Sequence, residues 1–342
     1  MEMMEPNHEN PGQIWNCAFV LTPRFNMMTL NSLMEPIRVA NYLSLSKIYE
    51  HSLYSFDGAE LPASNGLSVK CQQPEAVLPR NTTVFLLASW GGENYANQQL
   101  MAWLRRQHRN GIQICGVEIG AYILAEAQLL SNQKATTHWS YLQGFRERFP
   151  SIEVVEQLYT GIGPVMTCAG GTAGFDLMLT FIETYRGRAL AGEIADQIMH
   201  HPLRPAETSQ KVTHGRGLTT LPDGVRAAVQ LIEENIEEPL RVGEIAARIG
   251  ISQRQLERRF NANFSCSVSR FAQLLRLQHA RVLLVSTGLG IGEISVASGF
   301  NTQSHFNKAF KECFGRKPSA YRNAWPDNEP NPQWPGTLAS FI

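Results

Sequence analysis

The sequence predicts an α/β chain in two parts: an open parallel sheet with helices on both faces, then an all-α domain with two helix-turn-helix units. Three observations carry this. Continuous apolar runs alternate with helically spaced segments over the first 200 residues, the pattern of strands covered on both faces. The periodicity lapses over 203–221, a stretch rich in Pro, Gly, Ser and Thr that reads as an interdomain linker. Beyond it, residues 225–322 hold an internal repeat. At 342 residues, two cores are expected rather than one. We expect a sheet domain over 12–202, the linker over 203–221, a helical domain over 222–325 and a Pro-rich tail over 326–342.

The elements follow in order. "IWNCAFVL" (14–21), "TTVFLLAS" (82–89), "GIQICGV" (111–117) and "PVMTCAGG" (164–171) are buried strands. "MMTLNSLMEPIRVANYLS" (27–44), "NQQLMAWLRRQHRNG" (97–111) and "GTAGFDLMLTFIETYRG" (171–187) have helical spacing, the second closing on Gly111. The arrangement is flavodoxin-like, and ligands in such sheets bind at the carboxyl ends of the strands. One such end stands out. "ICGVEIGAYILAEAQLL" (114–130) is a strand, a sharp corner and a helix starting near Gly120. That corner is where a Ser or Cys nucleophile is often mounted. Here it carries Glu118.

Composition narrows the class. Hydrophobic residues make up 43% of the chain and charged residues 18%, so it is globular. No apolar run approaches the ~20 residues of a membrane-spanning helix. The opening "MEMMEPNHENPGQIW" lacks the apolar core of a signal peptide. Cys17, Cys71, Cys115, Cys168, Cys266 and Cys313 are scattered without metal-ligand spacing. They read as reduced thiols in a cytoplasmic protein that needs neither metal nor cofactor. The formal net charge is zero, yet residues 222–322 hold 14 Lys+Arg against 9 Asp+Glu, a net of +5. A basic C-terminal third suits a polyanion partner.

The repeat is the strongest feature. Ile245, Gly250 and Ile251 recur 49 positions later as Ile294, Gly299 and Phe300. Leu256, Phe260, Phe264 and Phe271 recur 50 positions later as Phe306, Phe310, Phe314 and Tyr321. Each unit reads as helix, glycine turn, helix. The amphipathic segment 270–286 between them spans about 25 Å as a helix, enough to hold the units roughly one DNA turn apart. In the first unit Leu256 and Phe260 point inward, leaving Arg254, Gln255, Glu257 and Arg258 for DNA. In the second, Phe306 and Phe310 point inward and Gln303, Ser304, Asn307 and Lys308 outward. For each of these residues an ordinary solvated side chain is the competing reading. Ser252 and Asn301 are candidate helix N-caps.

"ASGFNTQSHFNKAFKECFGRKPSAYR" (297–322) closely resembles the C-terminal signature of AraC/XylS-type transcription regulators: a GF turn, SHF-x-x-x-F, then FG-x-x-P-x-x-YR. The resemblance covers about 100 residues. It implies binding of specific double-stranded DNA as a homodimer, allows a contact with RNA polymerase, and fits an activator, with a repressor as the alternative. "GVEIGAYILAEAQLLSNQKATTHW" (116–139) resembles the elbow of class I glutamine amidotransferase-like, PfpI-type domains, in the subgroup fused to AraC-type domains. Many members read V-C-T-G-A where this chain reads V-E-I-G-A. The nucleophile position is thus Glu118, with Cys115 three residues earlier inside the strand. We therefore expect no catalytic residue and no enzyme. The alternative is a PfpI-type hydrolase or lyase fused to a DNA-binding domain, and a pure protein-interaction module is a third reading.

The subgroup resemblance includes regulators of arginine, carnitine and glycine betaine catabolism, so it implies a small cationic or zwitterionic nitrogen metabolite as effector. The expected pocket gathers Glu35 and Glu118 as two carboxylates awaiting a cation, Gly91 and Gly92 from "ASWGGENY", His138, and Trp90 or Trp139 as an aromatic wall. Plainer readings stand beside these. Glu35 could pair with Arg38 one helical turn on, and both tryptophans could be core aromatics.

Overall fold

The computed structural model describes residues 13–89, 91–95, 97–210 and 221–324. The chain separates into two compact units, Met1–Gln210 and Lys211–Ile342.

The first unit is built on five parallel strands. They are β1 (Trp15–Leu21), β2 (Tyr49–Tyr54), β5 (Thr82–Ala88), β6 (Gln113–Glu118) and β9 (Val165–Cys168), in the order β2-β1-β5-β6-β9. Between them run α1 (Met27–Leu43), the hairpin β3 (Glu60–Pro62) and β4 (Ser68–Lys70), α2 (Gln98–Arg109) and α3 (Gly120–Glu126). The small parallel pair β7 (Lys134–Ala135) and β8 (Glu153–Val154), with α4 (Leu142–Arg148) between its strands, precedes β9. The unit closes with α5 (Ala173–Arg186) and α6 (Arg188–Gln197). Side chains alternate along each strand, so the sheet feeds two cores. Phe19, Phe85, Cys115 and Met166 pack under α1, α5 and α6, with the Phe19 and Phe85 rings 5.3 Å apart across paired strands. Val20, Val84, Leu86 and Ile114 pack on the other face with Leu104 of α2 and Tyr122 of α3.

The predicted strands and helices are present with ends shifted by a few residues. The sequence reading missed β2, a partly buried edge strand, and the short β3–β4 hairpin and β7–β8 pair. Such elements exist through pairing and lack a periodic signal. The linker expectation is corrected in part: residues 203–210 pack on the first unit. The remainder of the expected linker, over 211–220, and the Pro-rich tail lie outside the described residues.

The second unit is all helix: α7 (Asp223–Glu234), α8 (Val242–Arg248), α9 (Gln253–Phe264), α10 (Val268–Ser286), α11 (Ile291–Ala297), α12 (Gln303–Phe314) and α13 (Pro318–Ala324). The repeat survives in three dimensions. Glu244 and Glu293 both bond back to the amide three residues before them, Arg241 at 2.7 Å and Gly290 at 2.6 Å. The helix-turn-helix corners fall at Gly250 (φ 73°) and Gly299 (φ 72°). Phe264 meets Phe271 at 4.6 Å, and Phe314 meets Tyr321 at 5.7 Å. Ser252 caps α9 as expected. The cap of α12 is Thr302, not Asn301: the Thr302 hydroxyl accepts from the His305 amide at 3.2 Å.

Candidate functional site

Glu118 ends β6 with φ 55°, in the left-handed region that a non-glycine residue avoids unless its surroundings impose it. The packing imposes it here. A Cβ at Gly120 would lie 2.4 Å from the Leu86 carbonyl oxygen, and one at Gly116 would lie 2.9 Å from the Gly120 carbonyl carbon. The chain thus turns from strand to helix directly against β5.

Only 5% of Glu118 is exposed. Its Oε1 accepts from Thr29 Oγ1 at 2.7 Å and from Asn26 Nδ2 at 2.8 Å. Asn26 is itself fixed, because its Oδ1 caps α1 through the Met28 amide at 2.9 Å. Thr29 Oγ1 also accepts from the Gly171 amide at 2.8 Å, and Ser32 donates to the Gly171 carbonyl at 2.8 Å. The Gly170–Gly171 turn wraps the carboxylate so closely that a Cβ at Gly170 would lie 1.9 Å from Glu118 Cγ. Burial pushes the Glu118 carboxyl above the usual range, while hydrogen bonds from Thr29, Ser89, Asn26 and Gly171 pull it back. Behind the corner, Thr137 Oγ1 donates to the Glu118 carbonyl at 2.5 Å. The elbow is therefore a clasp. One side chain joins the start of α1, the end of β5 and the turn before α5.

The expected second carboxylate is elsewhere. Glu35 forms a two-pronged pair with Arg38, at 2.9 and 2.5 Å, on the half-exposed outer side of α1. Its pKa is lowered by that hydrogen bond. Six residues separate Glu35 from Thr29, which turns it about 240° around the helix and away from the elbow. Trp90 lies outside the described residues. Gly91 takes φ 90° and Gly92 begins a short 3-10 turn. A Cβ at Gly92 would lie 2.9 Å from Ala88 Cβ and 3.2 Å from Ile119 Cβ, so its smallness serves packing on the elbow. His138 Nδ1 lies 2.7 Å from Ser140 Oγ, and its ring leans on Trp139 with centroids 5.4 Å apart. Both are half-buried, so Trp139 is not a core aromatic. Cys115 is fully buried in the sheet, and burial raises its thiol well above the normal range.

Sequence reasoning missed the donors, Asn26, Thr29, Ser89 and Gly171. A signal existed: "FNMMT" carries a helix cap and "CAGGT" a glycine turn, each just past a strand. It also missed Glu93. Only 3% of this residue is exposed, and neither carboxylate oxygen makes a hydrogen bond among the described residues. Burial raises it to about 7, against the pull of nearby amides and Arg148. The Arg148 guanidinium donates to the Glu93 carbonyl and pairs with Glu126 at 2.6 Å.

In the second unit Arg254 and Arg258 are exposed on α9, and Gln303, Ser304 and Lys308 on α12. Two expected contacts are engaged within the domain. Gln255 Oε1 accepts from the Ser252 amide at 3.0 Å, as its third helical position allows. Glu257 accepts from the Val268 amide at 3.2 Å, at the start of α10. Asn307 is half-buried with Oδ1 turned inward.

An α/β unit with a thiol-free elbow, followed by paired helix-turn-helix motifs, defines a transcription regulator with a sensing domain. Comparisons with known proteins agree. The DJ-1/PfpI family matches residues 33–184 and a helix-turn-helix domain matches 245–324. The chain is 35% identical to the HTH-type transcriptional regulator CdhR of Pseudomonas aeruginosa, over 94% of this chain and 95% of that one. It is 32% identical to the regulator GbdR (95% and 88% covered) and 31% identical to the regulator ArgR (90% and 92% covered), both of the same species. The chain belongs to the AraC-type, DNA-binding transcription regulators that carry a DJ-1/PfpI-type domain.

Proposed function

We propose that the DJ-1/PfpI-type unit is a non-catalytic sensor whose effector, a small cationic or zwitterionic nitrogen metabolite, is recognised at the carboxyl end of the sheet beside Glu118. One observation carries this reading. The nucleophile's corner holds a carboxylate fixed by Asn26, Thr29 and the Gly170–Gly171 turn, and the neighbouring thiols, Cys115 and Cys168, are both sealed in the sheet. A carboxylate kept in place by neutral donors offers negative potential without a free nucleophile. An ammonium group nearby favours its ionised form, so ligand and charge state support each other. Gly91, Gly92, His138 and Trp139 supply the surrounding wall, and the half-exposed indole adds roughly 0.5–2 kcal/mol toward a cation. Glu35 is removed from the set, and Trp90 stays in it on its place after β5. DNA is read by Arg254 and Arg258 of the first unit and by Gln303, Ser304 and Lys308 of the second, on a homodimer. Light scattering giving a monomer at tens of micromolar, with and without operator DNA, contradicts the dimer.

Calorimetry and thermal shift against amino acids and quaternary amines test the effector. A binder at 100 times its dissociation constant adds about 2.7 kcal/mol of stability. Glu118→Gln should weaken that binder strongly and leave DNA affinity of the effector-free protein unchanged. Equal affinity in parent and variant, or an effector that proves anionic, defeats the reading. Turnover of an amide or dicarbonyl substrate that survives Cys115→Ala and is abolished by Glu118→Gln defeats the non-catalytic part.

A further inference from the structure

Residues 199–210 leave α6 and run back across the first unit, bound at several points, among them Ser209 Oγ, which donates to Glu156 Oε1 at 3.1 Å. At the start, Asp176 of α5 has a fully buried side chain that receives Arg204 Nη2 at 2.6 Å, Arg204 Nε at 3.0 Å and the Arg204 amide at 2.9 Å, and pairs with His200 Nε2 at 2.9 Å. Midway, the Leu158 amide donates to the Ala206 carbonyl at 2.9 Å. At the end, Gln210 Nε2 lies 2.7 Å from the Gln157 carbonyl and 2.9 Å from both the Thr137 carbonyl and Thr136 Oγ1.

Both ends attach to the segments that clasp Glu118. Thr137 receives Gln210 on its carbonyl while its hydroxyl donates to the Glu118 carbonyl at 2.5 Å. Asp176 lies on the helix launched by the Gly170–Gly171 turn, whose amide bonds Thr29. We propose that this arm is a latch through which occupancy of the elbow site reaches the chain that continues from Gln210 toward the DNA-binding helices. The proposal rests on the elbow being the effector site. The two ends differ in strength. The Asp176 end is charge-assisted and multiply bonded, which makes it the anchor. At the Gln210 end two amide protons serve three acceptors, and Oε1 is buried without a hydrogen bond among the described residues. That end carries an unmet desolvation cost and opens first. An effector that shifts Glu118 or Thr137 lengthens or shortens the Gln210 bonds. By reciprocity, releasing Gln210 changes effector affinity by the same factor.

Hydrogen exchange on the full chain tests the latch without any effector. Thr137→Val should raise amide exchange over 206–210 about tenfold, with Thr137→Ser close to the parent. Gln210→Ala should raise exchange over 136–138 and 118–120. Unchanged exchange over 206–210 in Thr137→Val, or over 118–120 in Gln210→Ala, overturns the proposal. Two probes, L-arginine and glycine betaine, then separate it from the effector reading. If neither binds and the variants still couple arm to elbow, the latch stands and that effector class falls. If one binds at the elbow and leaves exchange over 206–210 unaltered, the latch falls and the effector reading stands.

Discussion

Glu118 and Glu93 are two buried carboxylates handled in opposite ways. The first meets hydroxyl, amide and backbone donors placed by three different elements. The second meets none within hydrogen-bonding geometry among the described residues, and its carboxyl is raised to about 7 from an ordinary 4.5. The difference has a pH signature. Between 4.5 and about 7 the folded chain holds a proton at Glu93 that the unfolded chain releases. Stability conferred by the protonated form is complete below that window and is lost as pH rises through it, by roughly 3 kcal/mol. Glu93→Gln should flatten this fall. Urea unfolding of parent and variant at pH 5 and pH 8 reads it directly, and parallel losses in the two proteins would clear Glu93 of the effect. Glu118, raised in the same direction, adds to the parent's decline but is common to both proteins in the comparison.

At the scale of elements, the two helix-turn-helix units are copies with unequal tolerances. Gly250 and Gly299 hold the same left-handed conformation, yet a Cβ at Gly250 has nothing within 4 Å, while one at Gly299 would lie 2.3 Å from the Ile236 carbonyl oxygen and 2.7 Å from Pro239 Cγ. Gly250→Ala should therefore cost about 1–2 kcal/mol, the conformational term alone. Gly299→Ala should cost about 1–3 kcal/mol more, because backbone must move. Denaturation midpoints of the two variants check this, and equal losses would mean that the segment at Ile236–Pro239 yields freely. The recognition helices carry their own forecast. Arg258 is exposed and uncommitted to any bond given by the α9 caps, so Arg258→Ala should lose about 1–3 kcal/mol at a cognate operator if it reads a base bidentately. An anisotropy titration with unchanged affinity would strike Arg258 from the interface.

For the whole molecule, the helical unit has a core of its own. Leu256, Phe260, Phe264, Phe306, Phe310, Phe314 and Tyr321 are buried together without help from the sheet. Residues 221–324 expressed alone should fold and bind DNA, with affinity falling steeply with salt, because 14 Lys+Arg face 9 Asp+Glu over 222–322. A fragment that is unfolded by circular dichroism would show that the first unit is needed for its stability.

What the sequence determined by itself is whatever repeats or alternates. Continuous apolar runs identified four strands of the sheet, the 49–50-residue offset identified the paired helix-turn-helix units, and the corner at "GVEIGA" marked Glu118. These signals are local, set by side-chain period and turn chemistry. Tertiary structure decided which distant residues meet. Glu35 and Glu118 were paired by charge and parted by helix rotation. Asn26, Thr29 and Gly171 became neighbours of Glu118 only because α1 and the turn before α5 converge at the carboxyl ends of adjacent strands. Gln255 and Glu257 face outward by period, yet the free amides at the ends of α9 and α10 claimed them. Residues 203–210, polar and Pro-containing like a linker, were drawn onto the first unit by Asp176, a buried charge that required a partner. Burial and long-range hydrogen bonding act across sequence distances that no periodic pattern encodes.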